Sequence, residues 1–222
     1  MISINYDPFA LTFSDSRKDL KWKEIEHFFK YIKEEDWKIT SILDIWCWNG
    51  RLVWLLKEHW VDYISYLWVD SSEVLLSEAK KDYPINRFMH LDMMSLDKIE
   101  EKFSDIFFIA SFHHLQTIEE REEVLRKAYN LLENNGTIYM TNWALESSIN
   151  YMTYRNSQIP NTENEFWSSD FEIKIWEHKR FYHSFSLDEL THLFEKVWFK
   201  IIENKEFENK KNIISVIKKI ED

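Results

Sequence analysis

The sequence predicts an α/β fold: a doubly wound, mostly parallel sheet of seven strands with helices on both faces and an antiparallel final strand. Two observations predict it. Short apolar runs alternate with amphipathic helical stretches along the 222 residues, and three of those runs end in an acid, at Asp44, Asp70 and Asp92. A chain of this length fits one domain, residues 1–222.

The predicted elements follow one another with short connections. Residues 1–35 are expected to form an N-terminal lid and helix, and the polar residues 147–180 an irregular insertion near the substrate site. Ser71 or Ser72 is expected to cap the third helix, and Asn134-Asn135-Gly136 to stop the fifth. Strands are predicted at 41–45, 64–69, 87–91, 105–110, 137–141, 199–204 and 213–217, and helices at 19–34, 51–59, 71–82, 96–102, 118–132 and 187–196.

Composition excludes several classes of protein. With 45% hydrophobic and 30% charged residues the chain is globular rather than disordered. Its apolar runs are too short to span a bilayer, and the first residues show no basic region followed by an apolar one, so export is not expected. The single cysteine, Cys47, excludes an internal disulfide and a cysteine-based metal site and fits a reducing cytoplasm. A net charge of −11 is evidence against a nucleic-acid partner, although local basic clusters leave one open.

The first strand runs into a turn that has the layout of a ligand-binding loop, Leu43-Asp44-Ile45-Trp46-Cys47-Trp48-Asn49-Gly50. With glycine at 46 and 48 this segment resembles the cofactor loop of class I S-adenosylmethionine-dependent methyltransferases, which have a Rossmann-like fold. The resemblance implies S-adenosylmethionine as the cofactor. Such a loop works because bare backbone approaches the ligand, so two indoles there are expected to impair cofactor binding.

The chain has 11 tryptophans and only 2 glycines, whereas glycine averages about 7% of residues. Many of the tryptophans stand where helix ends and turns use glycine. We therefore expect UGA-glycine recoding, in which UGA codons for glycine have been translated as tryptophan. Eight reassignments would leave three tryptophans and ten glycines, at positions 37, 46, 48, 54, 60, 68, 176 and 198. The alternative is a degenerate chain whose tryptophans are genuine and which is a non-catalytic binding domain.

The acids at the strand ends are the expected cofactor ligands, because ligands of such sheets bind at the carboxyl ends of the strands. Asp70 is suited to accept the ribose hydroxyls, Asp92 the adenine amino group with Met93 packing on the ring, and Asp44 to orient the ammonium group. A single acid at the end of a strand is a helix cap about as often as it is a ligand-binding residue. The full predicted set is Tyr6, Asp44, Trp46, Cys47, Trp48, Asn49, Gly50, Asp70, Ser71, Asp92 and Met93.

His113 and His114 end the fourth predicted strand on the substrate side, where one of them would serve as a general base or both would merely pack. Several further segments narrow the resemblance: Tyr6-Asp7 and Phe13 to Arg17, Phe112-His113-His114, Asn142 to Glu146, and Arg180-Phe181-Tyr182-His183-Ser184-Phe185. They resemble the tRNA wobble-uridine carboxymethyl methyltransferases.

The resemblance implies esterification of a carboxymethyl group on tRNA, a small zinc-protein activator as in eukaryotic relatives, and genuine tryptophans at Trp22, Trp143 and perhaps Trp167. A carboxylate is already a nucleophile, so the acceptor needs mainly a cation to hold it. Arg17 and Arg180 are candidates for that clamp, or else they form surface ion pairs. Tyr182 and His183 are expected to shape the pocket. A small-molecule O- or N-methyltransferase is the alternative, and the acidic charge favours it.

Overall fold

The computed structural model describes residues 22–33, 40–47, 50–175 and 177–220. Four of the predicted site residues lie outside these ranges: Tyr6, Arg17, Trp48 and Asn49. Trp37 and Trp176 lie outside them as well.

Seven strands form one sheet in the order β3-β2-β1-β4-β5-β9-β8, and β6 and β7 form a separate two-stranded sheet. The pairs β1–β2, β1–β4, β2–β3 and β4–β5 are parallel, whereas β9 is antiparallel to both β5 and β8. The predicted fold is thus confirmed, including its antiparallel final strand. The strands are β1 Ser41–Ile45, β2 Ser65–Asp70, β3 Arg87–His90, β4 Phe103–Ile109, β5 Leu132–Trp143, β6 Ser169–Ile175, β7 His178–Ser184, β8 Phe199–Glu206 and β9 Asn212–Lys219.

Three of the described α-helices begin at a residue whose side chain caps the first turn. Ser72 rather than Ser71 caps α3 by accepting from the Leu75 N–H, and Ser186 caps α6 in the same way through Glu189. Thr117 and Glu120 form a capping box that starts α4. The helices are α1 Lys23–Lys33, α2 Arg51–Glu58, α3 Glu73–Asp82, α4 Ile118–Leu131, the short α5 Tyr151–Tyr154 and α6 Leu187–Lys196.

The centre of the sheet is the centre of the hydrophobic core. Every residue of β1 and β4 is buried, as expected for strands covered on both faces. Helix α1 contributes Phe28, whose ring lies 5.4 Å from that of Tyr139 on β5. This arrangement brings the carboxyl ends of β1, β2, β4 and β5 to one edge of the sheet.

The predicted bounds of three elements in the middle of the chain are wrong. The predicted helix at 96–102 is a 3₁₀ helix at Met93–Lys98, and β4 begins at Phe103, two residues early. Strand β5 begins at Leu132, so Asn134-Asn135-Gly136 lies within it rather than in a helix stop. The physical reason is a bulge: Asn135 has φ 61°, and the β4–β5 register shifts between Phe103 and Asp105.

The prediction of an irregular insertion at 147–180 is also wrong. This segment contains α5, a 3₁₀ helix at Arg155–Ser157, and β6 with most of β7. Phe171 and Ile173 alternate along β6 and form a small second core with Leu145 and Tyr182. With Ile175 this alternation has the period of a strand, but three apolar residues among polar ones are a weak signal, and only their packing partners reveal it.

Within the described part of the chain, no helix is both long enough and apolar enough to cross a membrane.

Candidate active site

The turn after β1 is fixed to the neighbouring strand. The backbone N–H groups of Trp46 and Cys47 donate to the carbonyl of Val69 at 2.8 and 3.3 Å, and the Gly50 N–H donates to the Cys47 carbonyl at 3.1 Å. Gly50 has φ 86°, and a Cβ there would lie 1.9 Å from the ring of Trp68. The turn is therefore tight, and Gly50 has both a conformational and a steric reason to be glycine.

Trp46 combines two features that conflict with a cofactor loop. Its backbone has φ 62°, the left-handed region that favours glycine. Its indole is buried and lies 5.1 Å from the His114 ring, so it occupies the space between the ends of β1 and β4. The indole does not fit a bound methyl donor at this place, whereas a glycine in the same backbone conformation does.

The acids Asp44, Asp70 and Asp92 lie at or next to the carboxyl ends of β1, β2 and β3, as predicted. Asp44 accepts the Tyr66 hydroxyl at 2.8 Å, and Asp70 Oδ1 accepts the Ser72 N–H at 2.9 Å. Asp92 caps the following 3₁₀ helix through the Met94 N–H at 2.8 Å. These bonds orient the carboxyl groups, and they also show that capping accounts for part of what Asp92 does.

The charges of Asp44 and Asp70 affect two neighbouring side chains, Cys47 and Tyr66. Burial, followed by the charges of Asp70 and Asp44, raises the pKa of the Cys47 thiol well above its usual value. Burial and Asp44 do the same to the pKa of the Tyr66 phenol. Both groups are thus neutral hydrogen-bonding partners at neutral pH. Tyr66 was not predicted; it lies on β2 two residues before Trp68, the register partner of Asp44, and so on the same face of β2 as Trp68.

The predicted ligands Met93 and Ser71 are positioned next to these acids. Met93 is buried at the start of the 3₁₀ helix, and the Ser71 carbonyl bonds the His90 ring at 2.9 Å. The Leu91 N–H donates to the Asp70 carbonyl, which ties the end of β3 to the end of β2. The structure therefore brings together the described members of the predicted cofactor set.

His113 and His114 lie in a 3₁₀ helix at Phe112–His114, just after β4 rather than within it. The Nδ1 atom of His113 accepts the backbone N–H of Trp143 at 3.1 Å. His114 Nδ1 donates to the Phe181 carbonyl at 2.8 Å, and its Nε2 accepts from Arg180 at 2.8 Å, since a guanidinium only donates. Burial, followed by the charge of Arg180, lowers the pKa of both histidines well below the usual value. Both rings are therefore neutral, with the lone pair of the acceptor nitrogen already engaged.

Arg180 and Tyr182 project from one face of β7 into this histidine pair. The Tyr182 ring lies 4.6 Å from His114 and stacks on the Trp143 indole at 4.9 Å with an interplanar angle of 13°. The Arg180 guanidinium lies 5.3 Å over the same tyrosine ring. The hairpin thus holds a buried cation beside His114, and the surface-ion-pair alternative for Arg180 is excluded by its burial.

His183 lies on the opposite face of β7, in a buried charged cluster that sequence reasoning did not find. Its Nδ1 bonds Asp170 at 2.6 Å and its Nε2 bonds Glu189 at 2.8 Å. Arg121 also donates to Glu189, at 3.1 Å. Burial on its own raises the pKa of Glu189, but the bonds and charges of His183 and Arg121 outweigh it and lower the pKa to about 2. The cluster joins the hairpin to α4 and α6 and so positions Arg180 and Tyr182.

The chain has the Rossmann-like fold of S-adenosylmethionine-dependent methyltransferases. Residues 42–136, which contain the loop, the three acids and both histidines, match the family described as a methyltransferase domain. No curated protein matches the chain in sequence.

Solved structures share the fold over nearly the whole chain. One is an S-adenosylmethionine-dependent methyltransferase from Clostridium acetobutylicum, with TM-score 0.69 and 15% identity, covering 97% of this chain and 99% of that one. Another is 1,6-didemethyltoxoflavin-N1-methyltransferase from Burkholderia thailandensis, with TM-score 0.67 and 15% identity, covering 96% and 86%, which holds S-adenosylhomocysteine. A third is an amino pentose methyltransferase from Micromonospora echinaspora, with TM-score 0.64 and 11% identity, covering 99% of both chains.

Proposed function

We propose that this methyltransferase O-methylates a carboxylate in the cytoplasm, such as the carboxymethyl group on a tRNA wobble uridine. One observation carries the proposal: the two histidines beside the expected acceptor position have no lone pair available to remove a proton, while a buried guanidinium lies next to them. A carboxylate acceptor needs no base and benefits from a cation, whereas a hydroxyl or a protonated amine needs the base.

The roles of this chain's residues follow from that arrangement. Asp44, Asp70 and Asp92, with Met93, would hold the ammonium, ribose and adenine of S-adenosylmethionine, which supplies an electrophilic methyl group when bound. Arg180 would hold and orient the acceptor carboxylate. His114 keeps Arg180 in place through its Nε2, and His113, whose Nδ1 accepts from Trp143, has its proton on Nε2 and can donate a hydrogen bond. Arg17, outside the described residues, remains the second candidate for the clamp.

We also propose that the native loop has glycine at 46 and 48 through UGA-glycine recoding. The backbone supports this at three of the eight reassigned positions, Trp46, Trp60 and Trp198, with φ of 62°, 57° and 64°. Trp167 has φ 62° as well, at the end of a turn that Asn164 closes, so we add it to the set despite its earlier assignment as tryptophan. Trp54 and Trp68 lie in α2 and β2, where the backbone gives no such support.

Codon reading and one chemical assay test these proposals. The gene is expected to carry UGA at 46, 48, 60, 167 and 198; UGG at 46 and 48 would overturn the recoding. The protein with Trp46→Gly and Trp48→Gly is incubated with methyl-tritiated donor and bulk tRNA. A methyl ester releases tritiated methanol in mild alkali, whereas an N-methyl group or an ether does not. Alkali-labile label on tRNA supports the proposal, and alkali-stable label contradicts it.

The second candidate is methylation of a small molecule. The net charge of −11 supports it, as does the fold shared with a toxoflavin-precursor and an amino pentose methyltransferase. Label that appears in a metabolite extract but not in tRNA would favour it. If codon reading returns UGG throughout, the chain is instead a non-catalytic binding domain. A small zinc-protein activator is tested by adding candidate partners to the same assay.

A further inference from the structure

A cavity of about 590 Å³ lies beside the histidine–arginine cluster. It opens between the start of α1, the end of β5, α5 and the β8–β9 connection. Trp143 joins the two sites: its backbone N–H bonds His113, its indole stacks on Tyr182, and it also lines the cavity. A cavity of this size fits a small organic ligand or one unit of a larger one.

Aromatic side chains form much of the cavity wall. Trp22, Trp143 and Tyr154 all line it, and the Trp143 and Tyr154 rings lie 6.0 Å apart with an interplanar angle of 38°. Because Trp143 is held by its stack on Tyr182, its indole is a rigid surface. Such walls favour a flat, unsaturated ligand.

Two polar side chains of the lining, Glu24 and Asn150, are oriented to accept hydrogen bonds. Oε1 of the buried Glu24 accepts from the side-chain amides of Asn209 and Asn212 at 2.9 and 2.7 Å. In the described part of the chain nothing donates to Glu24 Oε2, and no cation pairs with this carboxylate. Asn150 directs its amide group to the carbonyls of Ala144 and Lys211, so its oxygen is the group left to meet a ligand. An occupant is therefore expected to donate hydrogen bonds.

Lys211 distinguishes between two kinds of hydrogen-bond donor, a cationic amine and a neutral ring N–H. Lys211 lines the cavity and is exposed. Its charge disfavours a cationic amine and favours a neutral ring, particularly one that bears a phosphate.

We propose that this cavity binds a planar, neutral heterocycle with an edge N–H, the chemistry of a nucleobase, through Glu24 and the aromatic wall. The inference rests on the proposed function, because the ring would be a part of the methyl acceptor other than the group that receives the methyl. Two sources share this chemistry, a base within RNA and a free nucleoside or nucleotide.

Equilibrium binding without methyl donor tests the site independently of methyl transfer. Uridine 5′-monophosphate and its 3-methyl analogue differ only at the N–H, and we expect the unmethylated compound to bind at least tenfold more tightly. Glu24→Gln keeps an oxygen for Asn209 and Asn212 but replaces Oε2 by a donor, so it should abolish this preference. Tyr154→Leu should weaken both ligands equally. Glu208→Gln, which removes an exposed charge on the same connection, is the matched control and should change nothing.

Equal affinity for the two compounds, an unchanged preference in Glu24→Gln, or tighter binding of choline would overturn the inference. An anticodon stem-loop that binds over a hundredfold more tightly than the nucleotide identifies RNA as the source, and equal affinity identifies the free compound. If the binding pattern holds but no methyl ester forms, the proposed function fails alone. If the ester forms but Glu24→Gln binds normally, only this inference fails.

Discussion

The Nε2 atom of His114 accepts a hydrogen bond from the buried guanidinium of Arg180 at 2.8 Å. This bond fixes both partners, because an arginine cannot accept and a histidine that accepts cannot carry a proton at that atom. The same residue pair thus removes a candidate base from the site and supplies a cation. That combination favours an anionic acceptor.

Replacing Arg180 should impair catalysis without weakening donor binding. In the protein with glycine at 46 and 48, Arg180→Lys is expected to lower kcat/KM for the carboxylate acceptor by roughly a hundredfold, or about 2.7 kcal/mol, because a lysine cannot reproduce the fork geometry. Calorimetric titration with S-adenosylhomocysteine should give an unchanged Kd. Lys179→Gln, on the exposed face of the same strand, is the control, and equal rates for both variants would reject the role.

The indole of Trp46 is expected to hinder binding of the methyl donor at the loop. The protein with Trp46→Gly and Trp48→Gly should bind S-adenosylmethionine at least a hundredfold more tightly than the protein with both tryptophans. The substitution at 46 removes the indole beside His114, and glycine adopts the left-handed backbone there without strain. Isothermal titration calorimetry measures this directly. No heat of binding in the glycine protein would contradict both the loop assignment and the recoding.

The exposed tryptophans that follow helices α2 and α6, Trp60 and Trp198, are expected to lower the free energy of unfolding. Trp60 follows α2 in a Schellman arrangement, in which Val61 N–H donates to Leu56 and Trp60 N–H to Lys57. Trp60→Gly and Trp198→Gly should each raise the free energy of unfolding by about 1 kcal/mol, since left-handed backbone is costly for other residues. Trp54→Gly, within helix α2, should instead lower it by about 1 kcal/mol. Urea denaturation distinguishes the two signs, and a loss of stability at Trp60 would count against glycine there.

Glu189 should be the most sensitive charge in the buried cluster. Glu189→Gln leaves Arg121 and His183 without their shared carboxylate and is expected to cost 3–5 kcal/mol, roughly the effect of breaking a buried ion pair. Glu195→Gln, an exposed change on the same helix, should cost almost nothing. Chemical denaturation of both variants at pH 7 checks the difference, and a small loss in Glu189→Gln would show that the cluster is dispensable.

Stability should fall in acid in two separate windows. The pKa values of His113 and His114 are lowered on folding, so the unfolded chain binds more protons and stability declines as the pH drops below about 6.5. The pKa of Glu189 is lowered to about 2, so its contribution is complete above about 4.5 and is lost toward pH 2. His113→Gln should reduce the first slope by about 1.4 kcal/mol per pH unit. Unfolding measured from pH 7.5 to 5 tests this, and an unchanged slope would contradict it.

Local sequence patterns were sufficient to predict most of the fold and the cofactor side of the candidate site. The alternation of apolar runs and amphipathic helices predicted all seven strands of the main sheet, because these periodicities are local. The three acids could be located because parallel strands place their carboxyl ends together. The β6–β7 hairpin escaped prediction, since Phe171 and Ile173 form a core only with Leu145 and Tyr182, which lie far away in sequence.

By itself, the sequence determined the architecture, the sheet edge at which the three acids stand, and the loop whose tryptophans occupy positions suited to glycine. Only the tertiary structure decided which histidine nitrogens are engaged, that Arg180 is buried beside His114, and that Glu24 lies in an aromatic cavity next to Trp143. The physical reason is the sequence distance between interacting residues. The periodicity of a strand or helix is visible within about ten residues. A tautomer, a buried ion pair or a cavity depends on partners from distant segments, as with Arg180 and His114, which are 66 residues apart.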